Sequence, residues 1–356
     1  MSSSAVLERP ADSESRAYWR ESVESFETPS NWRAAFDLLT SAFAYIALIV
    51  VMYLLVDDHP WLVLALAIPA SGFLLRTFIV FHDCGHGSFV AGRRGNIWIG
   101  RFAALLVWQP YANWRHNHAV HHGTSGDLDR RGQGDVETIT AAEYAARSRK
   151  GRFAYRAFRS PFVLFTIGPV WSLMIGPRFW NKDMRPRQIH SVWLTNIALL
   201  ILVGATVAVV GVDNWLLVQM PAAILAGVYG VFLFYVQHQF EDAYWETGEQ
   251  WSYADAALKG SSYLKLSPPL RFFSGNIGLH HVHHLSAKIP NYNLQRAHEE
   301  SPIFADVPVL SFGDGVRSLR LKLIDPDGGR LLTWREAREL TARPAPSAVP
   351  APAAGR

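Results

Sequence analysis

Four stretches of the chain run almost without interruption in apolar residues: Ala34–Val56, Trp61–Phe81, Val192–Val212 and Trp215–Val236. Each is close to the roughly 20 residues a helix needs to cross a hydrocarbon core. They come in pairs. "DDHP" at 57–60 joins the first two, and "DN" at 213–214 with its immediate flanks joins the last two. Connectors this short predict two helical hairpins. Two further apolar stretches, Ile97–Val107 and Phe162–Ile175, are shorter or broken by Gly and Pro, and read as interfacial or re-entrant helices.

Composition supports a membrane protein. Charged residues make up 18% of the 356 and hydrophobic residues 49%, against about 25% charged in soluble domains. The net charge of +4 is spread along the chain rather than gathered into a stripe, which argues against a nucleic-acid partner. Neither hairpin connector holds a Lys or Arg, whereas the segment between the hairpins carries Arg93, Arg94, Arg101, Arg130, Arg131, Arg147, Arg149, Lys150 and Arg152. By the positive-inside rule, that segment and both termini face the cytoplasm of a cell whose inner (plasma) membrane the chain crosses. Arg76, inside a predicted span near its cytoplasmic end, can snorkel or meet a carboxylate. No cleavable signal peptide is apparent near Met1. Cys84 is the sole cysteine, so no intrachain disulfide can form. The expectation is an all-α integral membrane protein. Its polar N-terminal segment covers 1–30, a membrane domain with a cytoplasmic helical cap covers 31–335, and a Pro/Ala-rich tail over 336–356 reads as disordered.

The chain has 14 His, and most fall past the cytoplasmic ends of the spans. "HDCGH" holds His82 and His86. "RHNHAVHH" holds His116, His118, His121 and His122. "HHVHH" holds His280, His281, His283 and His284. His238 follows the fourth span. Helical positions i, i+3 and i+4 share a face. His82/His86, His118/His121/His122 and His280/His283/His284 all obey that spacing, so each cluster can aim its imidazoles into one pocket. Neutral imidazole suits Fe, Zn, Cu and Ni. Eight or nine converging His exceed what one ion can take and fit two. His116 and His281 lie off the shared faces and are either supporting hydrogen-bond partners or without a metal role. His59 and His190 read as solvated interfacial residues, and His298 as a surface residue.

"HDCGH", "HAVHH" and "HHVHH" resemble the three histidine boxes, HxxxH, HxxHH and HxxHH, of membrane fatty acid desaturases. "GTSGDLDRRGQGDVETITAAEY", "FYVQHQFEDAYW" and "NIGLHHVHHLSAKIPNYNLQ" are similar to the surroundings of those boxes in bacterial acyl-lipid desaturases, and the resemblance covers roughly residues 30 to 330. It implies a non-haem di-iron centre held in the cytoplasmic cap. That centre would use O₂ and two electrons to introduce a cis double bond into the acyl chain of a membrane lipid or fatty acyl thioester. By motif position the ligands would be His82, His86, His118, His121, His122, His280, His283 and His284. His238, in "QHQFE", corresponds to a further histidine found between the second and third boxes. Asp83, Asp135 and Glu241 flank the boxes. They are candidates to hold ligand imidazoles by their distal nitrogens, as carboxylates commonly do, or are solvated charges.

The boxes are shared with related hydroxylases and ketolases acting on lipids or carotenoids, so they specify the metal chemistry more firmly than the product. A metal-binding or transport protein would instead place polar ligands within the spans, and these spans hold almost no ionisable residue. One cysteine cannot hold an iron–sulfur cluster, so electrons are expected from a separate protein. In bacterial relatives this is ferredoxin with its reductase. The Arg-rich segment 147–159 could dock such an acidic carrier, although positive-inside topology or headgroup contact accounts for it as well.

Overall fold

A computed structural model describes residues 18–132 and 136–342. Four helices are long and apolar enough to cross a membrane: α1 (Asn31–Leu55), α2 (Pro60–His86), α5 (Pro186–Val210) and α6 (Val212–His238). α1 starts where the Ser30 side chain accepts from Arg33 N and contains one π-helical turn at Leu39–Phe43. α2 begins with Pro60 in its first turn, where a missing N–H costs nothing, and stops at Gly87 in the left-handed region, φ +80°. Gly211, φ +81°, turns α5 into α6. Asn214 Nδ2 donates to Asp57 Oδ1 at 2.8 Å, so the two hairpin connectors lie side by side at one end of the bundle. The start of α1 and the end of α2, and the start of α5 and the end of α6, therefore lie toward the other end.

α2 and α6 run past the ends that hydropathy suggested, to His86 and His238. Polar residues end an apolar run without ending a helix when they find partners inside the protein. α2 is the most enclosed helix, with 50% of its apolar window buried, while α5 has 11% buried and lies along the outside. Arg76 meets Asp37 of α1 and the Phe272 carbonyl, with its guanidinium 4.2 Å from the Phe272 ring centroid, which satisfies a charge that would otherwise be costly at that depth.

Between the hairpins, α3 (Arg93–Leu106) and α4 (Tyr111–Thr124) form a helix pair. Their turn carries Trp108, which stacks on Trp215 near the start of α6 with ring centroids 6.3 Å apart. The pair thus reaches far down the bundle and returns. Phe162–Ile175 is also broken, into helical pieces Pro161–Phe165 and Ile167–Pro169 and a π-helical Val170–Ile175. Gly100 lets α3, α4 and α2 close up. A Cβ there would collide with the Tyr111 ring and come 3.0 Å from Cys84 Cβ. Tyr111 cannot swing aside freely because its hydroxyl donates to the Cys84 carbonyl at 2.6 Å. Gly100→Val is expected to cost about 1–3 kcal/mol through overpacking, visible as a lowered Tm of the purified protein in detergent.

Two small sheets qualify the all-helical expectation. β1 (Tyr263–Lys265) pairs parallel with β2 (Val309–Ser311), and β3 (Leu321–Asp325) pairs antiparallel with β4 (Arg330–Thr333). Strands of three to five residues, one of them buried throughout, leave no alternation to read. They clamp the cap: Ile324 N donates to Ile139 O and Leu331 N to Glu241 O. The helix Trp334–Ala342 continues ordered chain past residue 335. Residues 1–17 and 343–356, and Asp135 among 133–135, lie outside the described residues. Arg159, the last residue of the basic segment, is not on the surface. It is fully buried and donates to Thr138 Oγ1, Tyr235 OH and Gln239 Oε1 at 2.8–3.0 Å, whereas Arg149 and Lys150 are exposed.

Candidate metal centre

α2 ends with the first histidine cluster, α4 carries the second, and a six-residue helix α7 (His280–Leu285) carries the third. They meet at the end of α6, where His238 stands. Nine histidines gather into two groups. His82, His86, His118, His122 and His283 form one; His121, His238, His280 and His284 form the other. Within each group the available ring nitrogens lie within 4.8 Å of one another, and each group could hold a metal ion.

The division follows from helix geometry. Residues i and i+4 are about 40° apart around the axis, while i+3 lies about 100° from i+4. In α4 the pair His118/His122 turns to the first group and His121 to the second. In α7 the pair His280/His284 turns to the second and His283 to the first. The two helices thus exchange one histidine each across the gap, while α2 adds a pair to the first group and α6 a single ring to the second.

Ring contacts test whether a metal would fit. Two nitrogens bound about 2.1 Å from one ion at a right angle sit about 3 Å apart. His283 Nε2 is 2.9 Å from His122 Nε2, His280 Nε2 is 3.0 Å from His238 Nε2, and His122 Nε2 is 3.2 Å from His118 Nε2. The Nε2 atoms of His86 and His284 are buried without a hydrogen-bond partner, which a cation would supply. Burial, and then the neighbouring imidazoles, hold His118, His122, His280, His283 and His284 well below the ordinary histidine pKa. They are neutral and offer lone pairs. The residues present therefore fit a pair of metal ions with all-imidazole protein ligands.

Several rings are aimed by outer partners. His82 Nδ1 lies 3.0 Å from Asp83 Oδ1, the geometry of an imidazole N–H donating to a carboxylate, which leaves Nε2 for the centre. Asp83 is in turn held by Asn291, at the start of α8 (Asn291–Glu300), whose backbone N and Nδ2 lie 2.6 and 3.0 Å from Asp83 Oδ2. Asn291 Nδ2 also reaches Asp37 Oδ2 at 2.8 Å. His238 Nδ1 is 3.2 Å from the Gly260 carbonyl, and Trp114 stacks on His118 with centroids 4.4 Å apart. Sequence reasoning found Asp83 by its place in the first box. It missed Asn291 and Trp114. Trp114 sits one turn before His118 and could have been found by spacing, but Asn291 carries no local signal.

Among the described residues, the candidates Glu241, His116 and His281 do not reach the centre. Glu241 is exposed and lies 3.7 Å from Arg330. His116 is half-buried and belongs to neither group. His281 is fully buried but turned away. Its Nε2 is 3.0 Å from Nδ1 of His298, so His298 is a partner rather than a surface residue, and burial pushes the His281 pKa down to about 3.

Beside the histidines opens a cavity of about 540 Å³. His82, His118 and His280 line one end, and apolar side chains such as Leu74, Phe78 and Val231 line its length. On α6 its wall runs from Ala223 to Gln237, about 20 Å at 1.5 Å per residue. A long, mostly apolar space with imidazoles at one end suits a hydrocarbon chain.

Comparisons with known proteins agree. A family model described as fatty acid desaturase matches residues 59–310. The chain is 41% identical over 318 residues to a fatty acid desaturase of Bacillus subtilis, covering 89% of this chain and 90% of that one. It is 28% identical over 295 residues to an sn-1 oleoyl-lipid 12-desaturase of Synechocystis sp., covering 77% of each. With an sn-1 acyl-lipid omega-3 desaturase (ferredoxin) of the same organism it shares 28% identity over 230 residues, 62% of each.

Proposed function

The chain belongs to the fatty acid desaturase family and is a lipid desaturase, an oxidoreductase of the membrane; on that premise we propose that its nine gathered histidines hold two iron ions beside a buried acyl chain. The observation that carries this is the meeting of the two histidine groups with the end of the apolar cavity. Iron bound there would supply the reduction of O₂: two hydrogens leave adjacent carbons, two electrons and two protons are added, and the products are one double bond and two waters.

The rest falls to the chain's own residues. The neutral imidazoles give the ions no compensating negative charge, which keeps the centre electron-poor. Asp83 and the Gly260 carbonyl fix ring orientation, so the nitrogens stay converged without help from the substrate. The apolar walls align the chain and keep water from its reacting carbons. Trp114 and Phe234, packed on His118 and His121, narrow the space at the reacting end. Electrons come from a separate carrier. A relative whose name specifies ferredoxin supports that donor, with its reductase upstream.

Expression in a bacterium that makes no polyunsaturated fatty acids, followed by mass spectrometry of its membrane lipids, tests the reaction. A new double bond is the expected result; an added oxygen would instead assign the chain to hydroxylation. We place the protein in the plasma membrane with both termini and the histidine cap in the cytoplasm, on the charge pattern of the loops. With Cys84→Ser as background, a cysteine at Asp58 or Asn214 is expected to react with a membrane-impermeant thiol reagent in intact cells. One at Gly132 or Lys288 should react only after the membrane is opened. Labelling of the last two in intact cells would reverse the orientation.

A further inference from the structure

We propose that Trp108 is the floor of the acyl cavity and that Arg178 holds it in place, so that these two residues limit how many carbons of the substrate pass beyond the reacting bond. This rests on the desaturase reading of the cavity. At the end away from the histidines, the cavity is lined by Leu106, Val107, Trp108, Met174 and Ala223. Trp108 stacks on Trp215, with the planes 18° apart, so a second indole outside the cavity lining backs it.

The backbone at Trp108 is held in an unfavourable conformation. Its φ is +56°, left-handed for a bulky residue, where glycine would be unstrained. Strain of this kind persists only when the surroundings enforce it, and here three contacts do. Gln109 N donates to the Ala104 carbonyl at 2.9 Å, and Gln109 Nε2 donates to the Leu173 carbonyl at 3.1 Å. The guanidinium of Arg178 donates to the Trp108 carbonyl and, at 2.9 Å, to Asn196 Oδ1. Asn196 lies ten residues after Pro186 on α5, about 15 Å along the helix, and its Nδ2 returns a hydrogen bond to the Arg178 carbonyl at 2.9 Å. An arginine at this depth is expensive, and its partners are a carbonyl and an amide rather than a carboxylate. What it secures is the turn that carries the floor. Arg178 is therefore a positioning residue.

The substrate's orientation follows from polarity. A lipid headgroup or thioester must stay with water at the histidine end, so the methyl end points to Trp108. The distance from histidines to indole then sets the largest number of carbons on the methyl side of the new double bond.

The test expresses the full-length protein in the same bacterium, supplied with acyl chains of graded length, and reads that methyl-side limit from double-bond positions in the lipids. Trp108→Gly spares the backbone and is expected to raise the limit by roughly two carbons or more, because an indole covers the area of several methylenes. Arg178→Gln is expected to move it the same way by less, a shift in product that a purely structural role would not cause. Ala223→Phe, filling the same end from the opposite wall, is expected to lower the limit. The wild-type product, read in parallel, tests the desaturase reading separately. With that product present, an unchanged limit in Trp108→Gly and Ala223→Phe overturns the floor. If Trp108→Gly fails to accumulate in the membrane, Ala223→Phe decides alone.

Discussion

Replacing His122 with alanine is expected to abolish desaturation and to lower the iron bound per chain from two toward one. His122 belongs to the larger group, with its Nε2 2.9 Å from that of His283 and 3.2 Å from that of His118. Its ring also stacks on His284 of the other group, centroids 4.2 Å apart, so its loss disturbs both. Changes to outer partners of a metal ligand alone cost about 10–100-fold in affinity or activity, so loss of a ligand should exceed about 100-fold. His121→Ala should be equally inactive through the second group. Turnover and iron content, measured on the same purified samples, check this. His59, exposed in the first hairpin connector, is the control, and His59→Ala should keep both. An active His122→Ala variant with full iron would remove this ring from the centre.

Asp83→Asn is expected to lower iron affinity by about 10–100-fold while leaving the helices intact. The carboxylate accepts from His82 Nδ1 on one side and from Asn291 on the other. An amide in its place can no longer accept on both oxygens, and its NH₂ would face a donor. Asn291→Ala should act through the same contact: it removes the side-chain donor to Asp83 and to Asp37 while keeping the backbone donor, and so loosens the anchor of the first box to α8. Because both variants break one chain of contacts, the double variant should lose less than the product of the single losses. Iron retained against a graded chelator, read alongside the helical circular dichroism, distinguishes loss of aim from loss of fold. Independent, multiplicative losses would mean that Asn291 does not act through Asp83.

Much of the site could be read locally. Four spans, two tight hairpins and three clusters at i, i+3, i+4 spacing are properties of neighbouring residues, and they led to nine histidines that the fold does bring together. Where local reading strayed, the reason was also local. Glu241 lies three residues from His238 in sequence, but it falls after the helix has ended at His238 and its side chain turns to Arg330 at the surface. His281 lies between two members of the centre, but helical rotation carries it to the opposite side, where His298 meets it. The small sheets escaped because three to five residues show no period.

By itself the sequence determined which segments are helical and apolar, which face of each helix carries imidazoles, and that the chemistry is metal chemistry. These depend on hydropathy and on a rotation of about 100° per residue, both short-range. Only the tertiary structure decided which nitrogens converge on which side, with α4 and α7 each sending a pair one way and a single ring the other. It alone brought Asn291 to Asp83 across 208 positions of chain. It also set Arg178 against the Trp108 carbonyl and lined an apolar cavity with residues from several separate elements. A helix face is specified by its own spacing, but what it meets is specified by the packing of every other element against it, and that is not written in any single stretch.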